Sequence, residues 1–297
     1  MKLLLCGYLL LSLTVLLSGC TSGEGQSAAS EPPNAYRPPV SSEAKPPAAQ
    51  STAADKENTT DEQTPERTSD LDQPLGEEEA PEATEYTYYM NDRYMIVPME
   101  EGTPKKVALL TFDDGPKDEE VLSSILDTLK NHDALAIFFV NGYRVKQHPE
   151  LLQQINEAGH AIGNHSWDHI DLKKQTQEEI KRQIGDVQTL VADLTGQPPV
   201  FFRPPFGSAN DAVKAKAADE GMLFMTWSNG SRDWIKEYQT PDKVVKSVLE
   251  QLHPGSNILM HELPWTAEAL DTLLTELETR GYGFVNPHHI DPAYSNN

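Results

Sequence analysis

Apolar and polar positions along the C-terminal two thirds of the chain follow two alternating rhythms. Seven apolar runs have strand length: Val107–Phe112, Ala134–Val140, His160–Gly163, Val200–Phe202, Leu223–Trp227, Ile258–Met260 and Gly283–Val285. Between them the apolar spacing becomes helical. Val121, Leu122, Ile125, Leu126 and Leu129 share one helix face. Thr176 and Glu179 form a capping box ahead of Ile180, Ile184, Val187, Val191 and Leu194, and Gly196 stops that helix. Thr240-Pro241 opens a further helix carrying Val244, Val245, Val248, Leu249 and Leu252, and Leu270, Leu273, Leu274 and Leu277 mark the last, ended by Gly281. Strands alternating with helices predict an α/β domain with a parallel sheet, and about seven repeats predict a closed or nearly closed barrel. An open doubly wound sheet is the competing architecture. No glycine-rich phosphate fingerprint follows any strand, which counts against its nucleotide-binding form.

Residues 1–90 read differently. Met1-Lys2 precedes an apolar stretch from Leu3 to Leu17 that ends in Leu17-Ser18-Gly19-Cys20. This predicts a secretory signal over residues 1–19, too short to favour a membrane-spanning helix. The last four residues resemble the lipobox of bacterial lipoproteins, which implies acylation of Cys20 and an anchor in the outer face of the cytoplasmic membrane. The other cysteine, Cys6, falls in the removed segment, so no disulfide or thiolate metal site is expected. Residues 21–90 hold 15 Asp and Glu against 4 Lys and Arg, half of the chain's net charge of −22, with many Pro, Ser, Thr and Ala. Such a segment cannot bury enough apolar surface to offset its ordering entropy, and is expected to be a disordered tether spanning roughly 45 Å. A Tyr- and Met-rich stretch, Glu85–Pro98, reads as a preliminary hairpin. Residues 91–297 are expected to form one domain, whose 31 acidic and 19 basic side chains make nucleic acids and wall polyanions poor partners.

The candidate chemistry gathers at the ends of the apolar runs. Asp113 and Asp114 close the first strand ahead of Gly115-Pro116. Adjacent residues of a strand face opposite ways, so one acid can hold a metal while the other stays free as a base. His165 and His169 follow the third run, and a spacing of four in a helical turn would put both imidazoles on one side. Arg203 follows the fourth run, Asp233 the fifth and His261 the sixth. In a barrel the carboxyl ends of all strands open on one face, so these residues are expected to converge.

Taken in order, Thr111–Pro116, His165–His169, Arg203–Gly207, Asp233-Trp234 and Ile258–His261 resemble the five motifs of the polysaccharide deacetylases, the NodB homology domain of carbohydrate esterase family 4, over about residues 105–290. The resemblance implies a distorted seven-stranded (β/α) barrel. It implies that Asp113 is the general base, that Asp114, His165 and His169 hold one divalent ion (zinc, with cobalt as the alternative), and that Arg203 holds the base. It further implies that the backbone N–H of Phe206 is the oxyanion donor, that His261 is the general acid oriented by Asp233, and that Trp234 and Leu259 wall the acetyl pocket. Two positions depart from the family pattern: Phe206 stands where tyrosine is usual, and Gly230 replaces the first acid of Asp-x-x-Asp-Trp. His132, His148, His253, His288 and His289 are given no chemistry.

The implied function is removal of N-acetyl groups from an extracellular glycan, with peptidoglycan N-acetylglucosamine first, by a lipid-anchored monomer. Chitooligosaccharide, poly-N-acetylglucosamine, N-acetylmuramic acid and acetylated xylan are the other substrates the family suggests. Two rivals come from other classes. A two-His, one-carboxylate set also serves non-haem iron oxygenases, which have no evident need for Asp113 and His261 as an acid/base pair. A non-catalytic glycan-binding lipoprotein is suggested by Gly230 and Phe206.

Overall fold

The computed structural model describes residues 85–294. The signal segment, Cys20 and the tether as far as residue 84 lie outside the described residues. The preliminary hairpin is present: β1 (Tyr88–Met90) pairs antiparallel with β2 (Ile96–Pro98). The hairpin spans residue 91, the expected start of the domain.

The remaining strands are β3 (Val107–Gly115), β4 (Ala136–Val140), β5 (Ala161–Asn164), β6 (Phe201–Phe202), β7 (Leu223–Phe224), β8 (Asn229–Gly230), β9 (Ser256–His261) and β10 (Gly283–Phe284). They form one parallel sheet in the order β7-β6-β5-β4-β3-β9-β8, and β10 pairs with the start of β3 at Val107 and Ala108. Strands β7 and β8 end this order without pairing with each other. The sheet is a curled, incompletely closed barrel. The helices are α1 (Glu119–Asn131), α2 (Gly142–Gln147), α3 (Pro149–Glu157), α4 (Gln177–Thr195), α5 (Asp211–Asp219), α6 (Pro241–Glu250) and α7 (Pro264–Thr279). No helix among the described residues is long and apolar enough to cross a membrane.

The period-two alternation of the central strands separates the two faces. Ala108, Leu110 and Phe112 of β3, with Ala136, Phe138 and Val140 of β4, pack against apolar stripes of helices such as Leu122, Ile125 and Leu129 of α1 and Leu270, Leu273, Leu274 and Leu277 of α7. The alternate residues, Val107 and Leu109 of β3 with Ile137 and Phe139 of β4, build a second core with Ala161, Phe201, Met225 and Val285. Tyr88, Met90 and Ile96 of the hairpin join this inner core, and among the described residues no helix contributes to it. A doubly wound sheet would have helices on both faces. A barrel fills its inside with strand side chains, as here.

On the inner face of β3 the pattern changes from Val107 and Leu109 to Thr111 and Asp113. The amino ends of the strands thus carry the apolar core, and the carboxyl ends carry the chemistry.

Candidate active site

Asp113 remains in the ladder, opposite Phe139 of β4 and His261 of β9. Its carboxylate is buried and receives Arg203 Nη1–H at 2.6 Å on Oδ1. Arg203 is fully buried, so it is no rim ion pair. It also donates to Thr111 Oγ1 at 2.8 Å, Thr226 O at 2.9 Å and Asn257 Oδ1 at 3.2 Å, and it lies 4.2 Å over the Phe139 ring. Burial pulls the guanidinium pKa down while Asp113 pulls it back up. Four hydrogen bonds from Nη1 and Nη2, one of them to the Asp113 carboxylate, support the buried charge, while Nε has no hydrogen-bond partner.

The expected opposition of the two acids is not what the chain does. Between Asp113 and Gly115 the register against β4 slips by a bulge, and Asp114 has φ 69°. A bulge re-aims the extra side chain, which for Asp114 means the same side as its neighbour. Both carboxylates come near His165 Nε2, Asp113 Oδ2 at 3.7 Å and Asp114 Oδ1 at 3.4 Å.

His165 and His169 also converge by a route the spacing misjudged. The segment after β5 is not a helical turn: Ser166 has φ 66° and His169 φ 53°. Asn141 Nδ2 holds His165 O at 2.8 Å, and Asn164 Oδ1 accepts Ser166 N–H at 3.0 Å, so side-chain amides support this loop. Two left-handed residues turn the chain back, bringing His169 Nε2 to 3.2 Å from Asp114 Oδ1. The three donor atoms of Asp114, His165 and His169 lie within 4.8 Å of one another.

These residues fit a divalent ion. Two ligand atoms about 2 Å from a tetrahedral zinc are about 3.3 Å apart, close to the separations seen here. Asp114 Oδ1 is buried with no hydrogen-bond donor, a state that calls for a cation. His165 Nδ1–H donates to Arg203 O at 2.7 Å, which leaves the Nε2 lone pair for the shared centre. Burial would raise the Asp114 pKa, but His165 and the other imidazoles beside it hold it well below the usual carboxylate range. Burial lowers the His169 pKa against the pull of Asp114, favouring the neutral ligand form.

Across the cavity, His261 ends β9. Asp233 Oδ1 accepts its Nδ1–H at 2.7 Å, and Oδ2 accepts its backbone N–H at 2.7 Å. Thr266 Oγ1 donates to the same Oδ2 at 2.8 Å, and Trp265 Nε1 to Asp233 O at 2.9 Å. Burial works to lower the imidazole pKa, but Asp233 outweighs it and the net shift is upward. Asp113, Asp114, His165, His169, Phe206, Trp234, Leu259 and His261 all line one cavity of about 460 Å³, together with Pro204, Gly207 and Trp227.

A model of the polysaccharide deacetylases matches residues 100–225. Peptidoglycan-N-acetylglucosamine deacetylase PgdA of Listeria monocytogenes is 43% identical over 193 residues, covering 65% of this chain and 39% of that protein. Among solved structures, the Bc1960 peptidoglycan N-acetylglucosamine deacetylase, crystallised with a naphthalenyl N-oxidanyl-benzamide, matches at 34% identity and TM-score 0.58, over 61% of this chain and 86% of that one. This chain belongs to the polysaccharide deacetylase family. A further family structure, BA3943 of Bacillus anthracis, is described as a pseudoenzyme; it is 34% identical with TM-score 0.59, over 62% of this chain and 66% of that one.

For a polysaccharide deacetylase, the two departures have local consequences. Phe206, at φ 60°, is 66% exposed and sets its ring edge on His169 with centroids 4.8 Å apart. Gly230 lies under the Trp227–Trp234 pair, where a Cβ would meet both indoles at ordinary contact distance. Trp234, 43% exposed, stands 5.2 Å from the His261 ring. The cavity mouth therefore carries an aromatic residue on each side.

Several residues that support this site carry no role in the sequence motifs. Thr111, Asn257 and Thr266 are buried polar residues on the central elements, visible only as polar interruptions of apolar runs. Glu262 is buried directly after His261, and its signal was an acid placed where an apolar strand ends.

Proposed function

We propose that this chain is a metal-dependent N-deacetylase of an extracellular glycan, with peptidoglycan N-acetylglucosamine as its substrate. One observation carries the reading: a carboxylate paired with a buried arginine and a histidine paired with a buried carboxylate line the same cavity as the Asp114, His165 and His169 cluster. Asp114, His165 and His169 would hold a divalent ion, zinc in this reading and cobalt as the alternative, which would supply the Lewis acidity to acidify water and polarise the acetyl carbonyl.

The chain's own groups do the rest. Asp113, fixed by Arg203, takes the proton of the water that attacks the carbonyl carbon. The backbone N–H of Phe206 donates to the oxygen that gains charge, a kind of contact that often lowers a barrier by about 3 kcal/mol. His261, with Nδ1 committed to Asp233, gives a proton from Nε2 to the sugar nitrogen as the C–N bond breaks, leaving acetate and a free amine. Leu259 and Trp234 enclose the acetyl methyl, and the exposed rings of Phe206 and Trp234 offer stacking faces to sugar rings.

The aromatic mouth and the likeness to peptidoglycan deacetylases support the substrate class. The lipobox resemblance at Cys20 supports placement on the outer face of the membrane, within reach of the wall. The second reading, glycan binding without turnover, is favoured by Gly230, Phe206 and the likeness to BA3943. Acetate release by the purified full-length protein from peptidoglycan, chitooligosaccharide, poly-N-acetylglucosamine and acetylated xylan separates the two. Acetate and free amine from N-acetylglucosamine polymers are expected. Glycan binding without acetate, unchanged in Asp113→Asn, would establish the second reading.

A further inference from the structure

The bulge that turns Asp114 has a wall on its far side. Glu262 follows His261 at the end of β9, is 1% exposed, and its backbone N–H reaches toward Asp113 O at 3.4 Å. Its carboxyl group fills the space beside Gly115: a Cβ built on that glycine would fall inside it. On the other flank, Asn141 N–H donates to Gly115 O at 3.0 Å. Residue 115 is thus clamped between the end of β4 and the Glu262 side chain, directly after Asp114.

Neither Glu262 carboxylate oxygen has a hydrogen-bond partner. The backbone N–H of Lys117 and the charges of Lys117 and Arg144 face the carboxylate without reaching hydrogen-bond geometry. The group is therefore held by fit rather than by bonds. We propose that Glu262 is a positioning residue, whose carboxyl group locks Gly115 and so fixes the bulge that presents Asp114 to His165 and His169. Shortening Glu262 opens room beside Gly115, lets the turn relax and moves Asp114 off the shared centre. The inference rests on Asp114 being a metal ligand, and supporting residues of this kind commonly cost 10–100-fold in metal affinity when lost.

The test is Co²⁺ titration of the metal-stripped full-length protein, followed by visible absorption, with far-UV circular dichroism to confirm folding. Glu262→Ala is expected to bind Co²⁺ about 10–100-fold more weakly than wild type. Glu262→Gln, of the same size, is expected to stay within about threefold. Gly115→Ala is expected to weaken binding similarly, because its Cβ displaces the carboxyl, and Glu262→Ala in the same molecule is expected to recover most of that loss by making room. Wild-type protein that takes up no Co²⁺ overturns the metal reading and this inference with it. Wild type that binds while Glu262→Ala binds equally well, or a Gly115→Ala defect of the same size with and without Glu262→Ala, overturns this inference alone. Should Gly115→Ala fail to fold, the comparison of Ala with Gln at position 262 decides.

Discussion

Asp233 holds His261 twice, taking the imidazole Nδ1–H on one carboxylate oxygen and the backbone N–H on the other, both at 2.7 Å. The double contact fixes the ring and raises its pKa against the lowering effect of burial. A general acid works only while protonated, so activity should fall as pH rises through this raised pKa. Asp233→Asn removes the charge, so the falling limb of kcat against pH is expected at lower pH, with kcat down by about 10²-fold. The stabilising contribution of the pair is full below the unfolded histidine pKa and lost as pH rises through the folded one, so the Tm deficit of Asp233→Asn should shrink at alkaline pH. A pH–rate profile and melting curves check both.

Asp113→Asn keeps the shape of the base and removes its proton affinity. Turnover is expected to fall by at least about 10²-fold while Zn²⁺ affinity stays near wild type, because Asp113 is paired with Arg203 and is not one of the clustered donors. Calorimetric zinc titration alongside acetate release measures both. Full activity in this variant would contradict the assigned role.

Arg203 buries its whole side chain around four donated hydrogen bonds. Arg203→Ala leaves Asp113 buried and unpaired and is expected to destabilise the fold by about 3–5 kcal/mol. Arg203→Lys retains the charge but cannot reproduce the planar fork, so it is expected to fall between wild type and alanine in denaturant unfolding.

The barrel was legible because β3 and β4 are nearly continuous apolar runs with strong helical spacing between strands. Strand β8 was not, since Asn229 and Gly230 carry no periodicity and form a strand only by pairing with β9. Helix α5 was missed because it buries only Val213 and Ala217 in a stretch rich in Ala, Lys and Asp. Helices α2 and α3 are short and meet at His148-Pro149. At the site, the residue types and their order revealed which groups meet, but not how. Asp114, Ser166 and His169 adopt left-handed backbone, which neither alternation nor a four-residue spacing anticipates. Glu262 escaped notice because its role depends on the empty side of a glycine 147 positions earlier in the chain.

Phe206 should separate binding from chemistry. Its ring is mostly exposed at the cavity mouth, while the proposed oxyanion donor is its backbone N–H. Phe206→Ala is expected to raise KM for a glycan oligomer by about 2- to 10-fold, what a lost stacking contact of about 0.5–1.5 kcal/mol produces, with kcat nearly unchanged. Steady-state kinetics on an N-acetylglucosamine oligomer series checks the split.

Burial pushes the Glu262 carboxyl up to about 7, opposed by Lys117 and Arg144. A carboxyl with a raised folded pKa costs stability once pH exceeds its unfolded value, and the cost levels off above the folded one. Glu262→Gln is therefore expected to be more stable than wild type at pH 8, by up to about 3 kcal/mol, with the gain vanishing toward pH 4. Urea unfolding at the two pH values checks this.

The central claim, one ion shared by Asp114, His165 and His169 and required for deacetylation, is tested most directly by acetate release from N-acetylglucosamine polymer, using one preparation before chelation, after it, and after one equivalent of Zn²⁺. Acetate release is expected to fall to background in the stripped protein and to return with zinc. Undiminished release from demonstrably metal-free protein, or none from protein shown to hold one zinc, would contradict the account.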